Sequence, residues 1–347
     1  MRVSLERVLS LKSSLDTLWR AVRLYVLNRS FPALIQALSF FWRKASGQAP
    51  PITACLAVTY RCPCQCPQCY SSVEGRTIRR ELSTQECLRA LDQLKAIGTL
   101  QVIFSGGEPL LRQDIFDLVA HAHRIGLLTR MSTNGHLLTR ACAAKLKRAG
   151  LNQCGISIDD VDPDVNDRLR CMPGTFARAL QGFGYLREFH IDRRMLVYAS
   201  HANVAAGLER FIELGRTLKV NSYSFNIPFI IGRLAGTSQE MLSEKEMASL
   251  RRLQKYSSVS IEFLTPETNC CSYDKKILSI NPLGEVNPCP AVPFTLGNVN
   301  DEPLAAIWRR HVSALRLESR GRCPLNDPGD RERLRAHCAS VATRGRS

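Results

Sequence analysis

The feature that most constrains the fold is a repeated alternation of short apolar strands with amphipathic helices, beginning near residue 52. Six strands are predicted from runs of apolar and β-branched residues: Ala54–Val58, Gln101–Phe104, Leu128–Ser132, Gly155–Ile158, Met195–Ala199 and Tyr223–Ile227. Helical stretches fill the intervals, among them Gln85–Ile97, Ile115–Ile125 and Ala141–Ala149. Such units predict an α/β fold with a parallel sheet covered by helices, either open or curled as part of a barrel. Chemistry in such folds sits at the carboxyl ends of the strands.

Charge and cysteine content narrow the function. The chain carries 47 Lys and Arg against 31 Asp and Glu, a formal net charge of +16, which favours anionic partners. The charge is spread along the chain without a long basic run, so it supports nucleic-acid binding only weakly. The sequence has 14 cysteines and no secretory signal at its start, so we expect metal or redox chemistry in a reducing cytoplasm.

The first 50 residues form a segment of their own. A helical stripe recurs at Leu11, Leu15, Leu18, Val22 and Tyr25, and a second apolar stretch runs from Phe31 to Trp42. Basic residues outnumber acidic ones here by eight to two. No stretch reaches the roughly 20 apolar residues that cross a bilayer. Two interpretations stand: a pair of helices packed on the main domain, or a basic amphipathic surface that rests on a membrane or carries a hydrophobic substrate.

A cysteine triplet follows the first predicted strand, with the spacing Cys62-x3-Cys66-x2-Cys69. Three thiolates in one short loop can surround a single [4Fe–4S] cluster, which four cysteines usually hold. With three cysteine ligands, one iron keeps an open coordination position. A metal needs such a position to bind and activate a ligand directly. The alternative is a zinc site that uses Cys62 or Cys64 together with Cys66 and Cys69.

The triplet resembles the signature of the radical S-adenosylmethionine (SAM) superfamily. The resemblance implies that the open iron chelates the methionyl amine and carboxylate of SAM, and that one electron cleaves SAM to a 5′-deoxyadenosyl radical. It makes Cys64 a bystander. The family often has an aromatic or bulky residue before the third cysteine, whereas this chain has Gln68. Tyr70 is expected to replace that residue in part, against the adenine.

Further segments at strand ends resemble SAM-binding segments of the same family. The glycine pair Gly106–Gly107 permits close backbone approach, and the Glu108 carboxylate suits an ammonium group. The other expected SAM-pocket residues are Thr133, Asn134, Ser157, Asp159, Arg170 and Ile231. Each segment alone would be an ordinary turn or helix cap. Arg170 could equally form a structural pair with an Asp.

The C-terminal cysteines follow a second pattern, Cys271-x12-Gly284-x4-Cys289. It resembles the start of the SPASM and twitch appendages, which hold auxiliary iron–sulfur clusters. Cys323 and Cys338 complete four ligands for one [4Fe–4S] cluster, with Cys270 as an alternative to Cys271. A structural zinc held by four thiolates is the alternative interpretation. A hairpin is also predicted, with strands Ile277–Ile280 and Glu285–Asn287.

Together these features predict three parts: a helical extension and linker over residues 1–51, a partial (βα)6 TIM-like barrel over residues 52–257, and a SPASM/twitch-like domain over residues 258–347. The expected activity is reductive SAM cleavage followed by hydrogen abstraction, which leads to oxidation or bond formation on a natural-product, cofactor or lipid precursor. A peptide-modifying maturase is the alternative within the family.

The resemblance implies two [4Fe–4S] clusters and SAM as cofactors, with ferredoxin or flavodoxin as electron donor. No residue is assigned to substrate acid–base chemistry. A zinc-stabilised basic nucleic-acid-binding protein is the rival of another class. The Gly-Gly-Glu and Thr-Asn-Gly segments at strand ends oppose it, as does the lack of aromatic residues interleaved with Lys and Arg, so no nucleic-acid partner is expected.

Overall fold

One sheet organises the protein, as seen in a computed structural model that describes residues 31–71, 80–262, 276–314 and 324–343. Within these ranges the sheet has ten strands in the order β10-β9-β8-β1-β2-β3-β4-β5-β6-β7. The strands are β1 (Thr53–Thr59), β2 (Gln101–Gly106), β3 (Leu128–Thr133), β4 (Gln153–Ser157), β5 (Asp192–Tyr198), β6 (Ser222–Asn226), β7 (Val259–Glu262), β8 (Ile277–Ile280), β9 (Glu285–Asn287) and β10 (Gly297–Asn298).

The strands from β1 to β7 pair in parallel, each with the next along the chain. Helices connect most of them, as parallel pairing requires, and cover the apolar strands. Leu56, Phe104, Ile156 and Phe225, on four of these strands, are fully buried. The predicted α/β class with a partial, TIM-like barrel is confirmed. Because all seven strands run the same way, their carboxyl ends meet at one edge.

The helices bury one face each. In α3 (Ile115–Arg124), four apolar residues recur at helical spacing and are fully buried: Ile115, Leu118, Val119 and Ala122. Ser83 caps α2 (Thr84–Ala96) in a capping box: its hydroxyl accepts from the Glu86 N–H, and the Glu86 carboxylate accepts from the Ser83 N–H. The helices are α1 (Phe31–Ala45), α2 (Thr84–Ala96), α3 (Ile115–Arg124), α4 (Arg140–Arg148), α5 (Pro163–Arg170), α6 (Thr175–Glu188), α7 (His201–Ala205), α8 (Glu209–Thr217), α9 (Glu244–Arg252), α10 (Leu304–Ala314) and α11 (Pro328–Thr343).

The sheet continues beyond the six predicted strands. A seventh parallel strand, β7, continues the sheet beside β6, beyond the residue at which the predicted barrel ends. The predicted hairpin has the expected bounds in β8 and β9. In addition, β8 pairs in parallel with β1, with Leu278 opposite Ala54. The C-terminal segment therefore extends the barrel sheet at its β1 side.

Helix α1 is the part of the N-terminal segment that the structure describes. It packs on the barrel through Ala37 and Phe40, which cluster with Leu100, and Gln36 donates to the Thr99 carbonyl at 2.6 Å. The predicted stripe from Leu11 to Tyr25 lies outside the described residues. No helix within the described ranges is long and apolar enough to cross a membrane.

Candidate active site at the carboxyl edge of the sheet

The loop that follows β1, residues 60–71 and hereafter the cluster loop, carries the cysteine triplet. Cys62 is exposed, Cys66 is buried and Cys69 is intermediate. Each thiol has a polar neighbour. The pairs are Cys62 Sγ with Asn134 Nδ2 at 3.9 Å, Cys66 Sγ with Arg170 Nη1 at 3.9 Å, and Cys69 Sγ with Ser71 Oγ at 3.5 Å. Asn134 and Arg170 come from the ends of β3 and α5, so separate elements surround the loop.

The Cys64 thiol interacts with the thiols of both Cys62 and Cys66. The spacing of the cysteines in the sequence does not predict this contact. It also approaches Met172 Sδ at 3.8 Å. Hydrogen bonding with Cys64 lowers the pKa of both Cys62 and Cys66 to about 7, and the same contacts raise the pKa of Cys64. A lower thiol pKa favours the thiolate, the form that binds iron. The prediction that Cys64 is a bystander is not tested by this contact.

The Gly106–Gly107 pair allows β2 to touch the start of the cluster loop. A Cβ on Gly106 would lie 2.3 Å from the Thr59 carbonyl oxygen, and a Cβ on Gly107 would lie 2.3 Å from that of Arg61. The Gly107 N–H donates to the Thr59 carbonyl at 2.7 Å. Side chains are excluded at both positions, so the glycine pair is required by packing of the cluster loop itself.

Glu108 is fully buried beside this pair. Its carboxylate accepts hydrogen bonds from Leu110 N–H at 3.1 Å, Thr133 Oγ1 at 2.8 Å and Asn134 N–H at 2.8 Å. Burial raises the pKa of the Glu108 carboxyl above its usual value, although the hydrogen bonds from these three donors lower it in part. The carboxylate therefore joins the ends of β2 and β3. Its predicted contact with the SAM amine stays a prediction.

Asp159, which follows β4, connects three elements. Its Oδ2 accepts from Gln68 Nε2 at 2.6 Å and forms an ion pair with Arg170 Nε at 2.7 Å. The Asn166 side-chain oxygen accepts from the Asp159 N–H at 2.9 Å. The structural Asp–Arg pair that the sequence left open is thus present. Ser157, the last residue of β4, lies two positions before Asp159 and is half-buried.

Aromatic and apolar residues approach the cluster loop from the end of β6. The Tyr70 ring, partly exposed, meets Phe229 edge-on at a centroid distance of 6.4 Å. Ile231 is buried in the same segment. Tyr70 and Ile231 are expected SAM-pocket residues, and the Ile227-Pro228-Phe229 stretch after β6 also resembles the family's last adenine-contacting segment. The hydrogen bond from the Gln68 amide to Asp159 is not predicted by the sequence.

Of the predicted auxiliary ligands, Cys289 and Cys338 lie within the described residues, and both are buried in the main hydrophobic core. Burial raises the pKa of the Cys338 thiol to about 12. Next to it, His337 Nε2 and His311 Nδ1 are 2.9 Å apart, a pair that the sequence analysis did not identify. Cys270, Cys271 and Cys323 lie outside the described residues.

Two family matches include all of the predicted cluster ligands except Cys338. Residues 56–203 match the radical SAM superfamily, and residues 270–329 match the SPASM iron–sulfur cluster-binding domain. The chain is a radical SAM enzyme with a C-terminal SPASM domain. The two domains imply a SAM-binding [4Fe–4S] cluster, an auxiliary [4Fe–4S] cluster and SAM, as the sequence analysis predicted.

The relatives of this radical SAM enzyme include a heme synthase and peptide cyclases. An AdoMet-dependent heme synthase from Nitratidesulfovibrio vulgaris is 28% identical and covers 77% of this chain and 82% of its own. PqqA peptide cyclases from Granulibacter bethesdensis and Xanthomonas oryzae pv. oryzae are 28% and 29% identical. The first covers 75% of this chain and 74% of its own, the second 77% of each.

Two solved structures share the fold. SuiB from Streptococcus suis, bound to its precursor peptide SuiA, superposes with a TM-score of 0.64 at 18% identity over 79% of this chain and 69% of that one. The anSMEcpe structure with bound AdoMet gives 0.59 at 15% identity over 74% and 80% of the two chains.

The donor set of this radical SAM enzyme suits its cluster. In the described ranges no three Cys, His, Asp or Glu side chains converge on one metal ion. A [4Fe–4S] cluster attaches each thiolate to a different iron, so its ligands need not converge. The three cysteines share one loop, and the N–H donors of Asn134 and Arg170 lie beside the thiols of Cys62 and Cys66, as hydrogen bonds to cluster sulfurs require.

Proposed function

We propose that this radical SAM enzyme modifies a peptide by abstracting a hydrogen atom from it. The supporting observation is the similarity to PqqA peptide cyclases, which spans about three quarters of both chains. From the sequence alone a natural-product, cofactor or lipid precursor is the expected substrate, with a peptide as the alternative. The relatives support the alternative better.

The chemistry comes from SAM and its cluster when bound: one electron cleaves SAM to methionine and a 5′-deoxyadenosyl radical, which takes the substrate hydrogen. We propose Cys62, Cys66 and Cys69 as the three protein ligands. Their position in one loop supports this, as does the lowered pKa of Cys62 and Cys66. The fourth iron is then left for SAM.

We propose that SAM binds along the loops that follow β1 to β4 and β6. Because the Glu108 carboxylate already accepts three hydrogen bonds, we assign the SAM amine to backbone carbonyls of the glycine pair together with that carboxylate. The Asn134 amide lies beside Cys62, and we therefore include it in the proposed SAM site. The full proposed set is Tyr70, Gly106, Gly107, Glu108, Thr133, Asn134, Ser157, Asp159, Arg170 and Ile231.

We propose Cys271, Cys289, Cys323 and Cys338 as the auxiliary ligands. A cluster held by these cysteines would supply an electron acceptor, and the net reaction would then be an oxidation in which the substrate loses a hydrogen atom, an electron and a proton. Ferredoxin or flavodoxin would return electrons to the SAM cluster. The SPASM match over residues 270–329 supports the assignment of Cys271, Cys289 and Cys323, and four cysteines are the usual ligand number of a [4Fe–4S] cluster.

The test is an anaerobic incubation of the reconstituted enzyme with SAM, dithionite and synthetic peptides of random sequence. We expect 5′-deoxyadenosine to form faster than in the peptide-free control. We also expect a fraction of the peptides to become lighter by the mass of one hydrogen molecule, read by mass spectrometry. Unchanged peptides with 5′-deoxyadenosine at the control rate would contradict the peptide proposal.

A small anionic precursor is the second candidate. The similarity to an AdoMet-dependent heme synthase favours it, and the net charge of +16 suits a carboxylated molecule. The same assay with carboxylated porphyrins in place of peptides separates the two candidates, because only the true substrate class raises 5′-deoxyadenosine above the control.

We also propose that α1 contacts an anionic membrane surface. Ile35, Leu38 and Trp42 recur along one face of this helix and are 49%, 59% and 69% exposed. The basic excess of the first 50 residues supports an anionic partner.

A further inference from the structure

The segment that follows β6, residues 228–234 and hereafter the bridging segment, lies directly on the cluster loop. Phe229, Ile230, Ile231 and Leu234 are all buried. Gly232 has a φ of +59°, and a Cβ there would lie 2.3 Å from the Cys69 carbonyl oxygen and 2.8 Å from Tyr70 Cα. The backbones of the two segments are therefore in direct contact, which only a glycine at this position permits.

Arg233 makes two hydrogen bonds to this loop. Its backbone N–H donates to the Cys69 carbonyl at 3.1 Å, and its Nη1 donates to the Cys66 carbonyl at 3.0 Å. One residue thus holds the peptide groups of two proposed cluster ligands. Because a peptide group's orientation restricts the direction of its residue's Cα–Cβ bond, these hydrogen bonds restrain the backbone from which the two thiols extend.

The other end of the bridging segment contacts the C-terminal part of the chain. Asn326 Nδ2 donates to the Pro228 carbonyl at 3.2 Å. Asn326 lies in a short 3-10 turn, Pro324–Asn326, that begins one residue after the proposed auxiliary ligand Cys323. Leu325 anchors this turn in the core at 1% exposure. The segment therefore joins the cluster loop to the turn next to an auxiliary ligand.

We propose that Arg233 is a positioning residue for the SAM cluster, and that the bridging segment ties the cluster loop to the SPASM domain. This proposal rests on the assignment of Cys62, Cys66 and Cys69 as ligands. Arg233 acts through the loop: it holds the carbonyls of two ligands and brings a positive charge near the cluster. Charge and hydrogen bonding around a cluster set its reduction potential.

The test compares Arg233→Met, which lacks the charge and the Nη1 donor, with Arg233→Lys, which keeps the charge and one side-chain donor. All variants are reconstituted as full chains. The SAM-binding cluster is identified as the reduced-state EPR signal that changes when SAM is added. We expect Arg233→Met to shift this signal, to lower the cluster's reduction potential, and to slow SAM cleavage about tenfold or more.

Arg233→Lys should restore most of the potential and the wild-type EPR signal, a recovery that a merely structural role does not predict. Arg140→Met is the matched control, because Arg140 also makes two side-chain hydrogen bonds, to Glu188, on the exposed surface. It should leave the signal unchanged. If Arg233→Met has the same SAM-responsive EPR signal and the same cluster reduction potential as the wild type, the positioning proposal is overturned.

Asn326→Ala tests the connection to the C-terminal turn. It removes the hydrogen bond to the Pro228 carbonyl at a site remote in sequence from the cluster loop. We expect a smaller shift of the SAM-responsive EPR signal in the same direction as in Arg233→Met. An unchanged signal would overturn the connection and leave the Arg233 result standing.

The ligand assignment is checked separately with the triple variant Cys62→Ala, Cys66→Ala and Cys69→Ala. Loss of the SAM-responsive signal there supports the assignment. If the triple variant keeps the signal, the proposed ligands are wrong, whatever the Arg233 variants do. Failure of the assignment and failure of the positioning role are thus distinguishable.

Discussion

Gln68 stands where the radical SAM family often has an aromatic or bulky residue, and its contacts show what an amide does there. Its Nε2 donates to Asp159, whose carboxylate also pairs with Arg170 beside Cys66. A phenylalanine at this position could not donate that hydrogen bond. The cluster loop is thereby connected to the end of β4, and packing against the SAM adenine would depend on Tyr70.

The most direct residue-scale prediction concerns Gly107. In Gly107→Ala the new Cβ would lie 2.3 Å from the Arg61 carbonyl oxygen, so the cluster loop must move. Overpacking of this kind costs about 1–3 kcal/mol, and here the strain falls on the loop that carries the triplet. We expect loss of about four of roughly eight irons per chain and at least a tenfold slower SAM cleavage.

The control for this prediction is Gly184→Ala. A Cβ on Gly184, within α6, would meet open space, and alanine is favoured over glycine in a helix by about 0.5–1 kcal/mol. This variant should keep full iron content and full activity. A Gly107→Ala enzyme with wild-type iron content and wild-type 5′-deoxyadenosine formation would contradict the prediction.

At the scale of elements, the strands of the barrel were predictable because each combines a buried apolar run with a polar segment at its end. Leu56 in β1 and Phe104 in β2 are examples. Strand β7 was missed because its four residues, with Val259 and Ile261 alternating with polar residues, are too few for a periodic signal. The parallel pairing of β8 with β1 was missed because local patterns carry no information on distant partners.

The same limit applies to the site. Glycine pairs and cysteine spacings are local in sequence, so the triplet and the Gly-Gly-Glu segment could be identified. The hydrogen bond from Arg233 to Cys66 joins residues 167 positions apart, and the one from Gln68 to Asp159 joins residues 91 positions apart. No local sequence pattern predicts either contact. These contacts depend on how strand ends meet in three dimensions.

The pairing of β8 with β1 gives a prediction about the auxiliary cluster. Because backbone hydrogen bonds hold the C-terminal segment on the barrel, the barrel should survive loss of that cluster. The double variant Cys289→Ala and Cys338→Ala should lose about four irons per chain yet still cleave SAM in the absence of substrate. It should not turn over substrate.

Iron and zinc analysis, together with 5′-deoxyadenosine formation, check this prediction. Normal substrate turnover by the double variant would make the second cluster structural and remove the main support for the oxidation proposal. About one zinc per wild-type chain in place of the second set of irons would contradict the auxiliary cluster itself.

At the scale of the whole molecule, the site and the exposed apolar face belong to different regions. The proposed SAM and cluster residues follow the strands at the carboxyl edge of the sheet, whereas α1 packs beside Ile52 and Leu100, at the amino ends of β1 and β2. In parallel strands these ends lie at opposite edges. A membrane contact through α1 would therefore leave the carboxyl edge facing away from the bilayer and open to a substrate from solution.

This geometry gives the final prediction. The double variant Leu38→Ser and Trp42→Ser removes two of the three large apolar side chains that are exposed among the described side chains of α1, while Ala37 and Phe40 still pack on the barrel. Burying a Leu or a similar side chain is worth about 1.5–3 kcal/mol, so binding to anionic vesicles should weaken at least tenfold. SAM cleavage should be unchanged, because neither residue lies on the carboxyl edge.

Sedimentation with phosphatidylserine vesicles at low salt measures the loss of binding. Higher salt should weaken vesicle binding by the wild type and by the double variant, because basic residues near an anionic surface contribute about 1 kcal/mol each and salt screens this attraction. Met241→Ser is the control: Met241 is a single exposed apolar residue, 38% accessible, outside α1, and its loss should leave vesicle binding at the wild-type level. Wild-type protein that stays in the supernatant at low salt would refute the membrane contact.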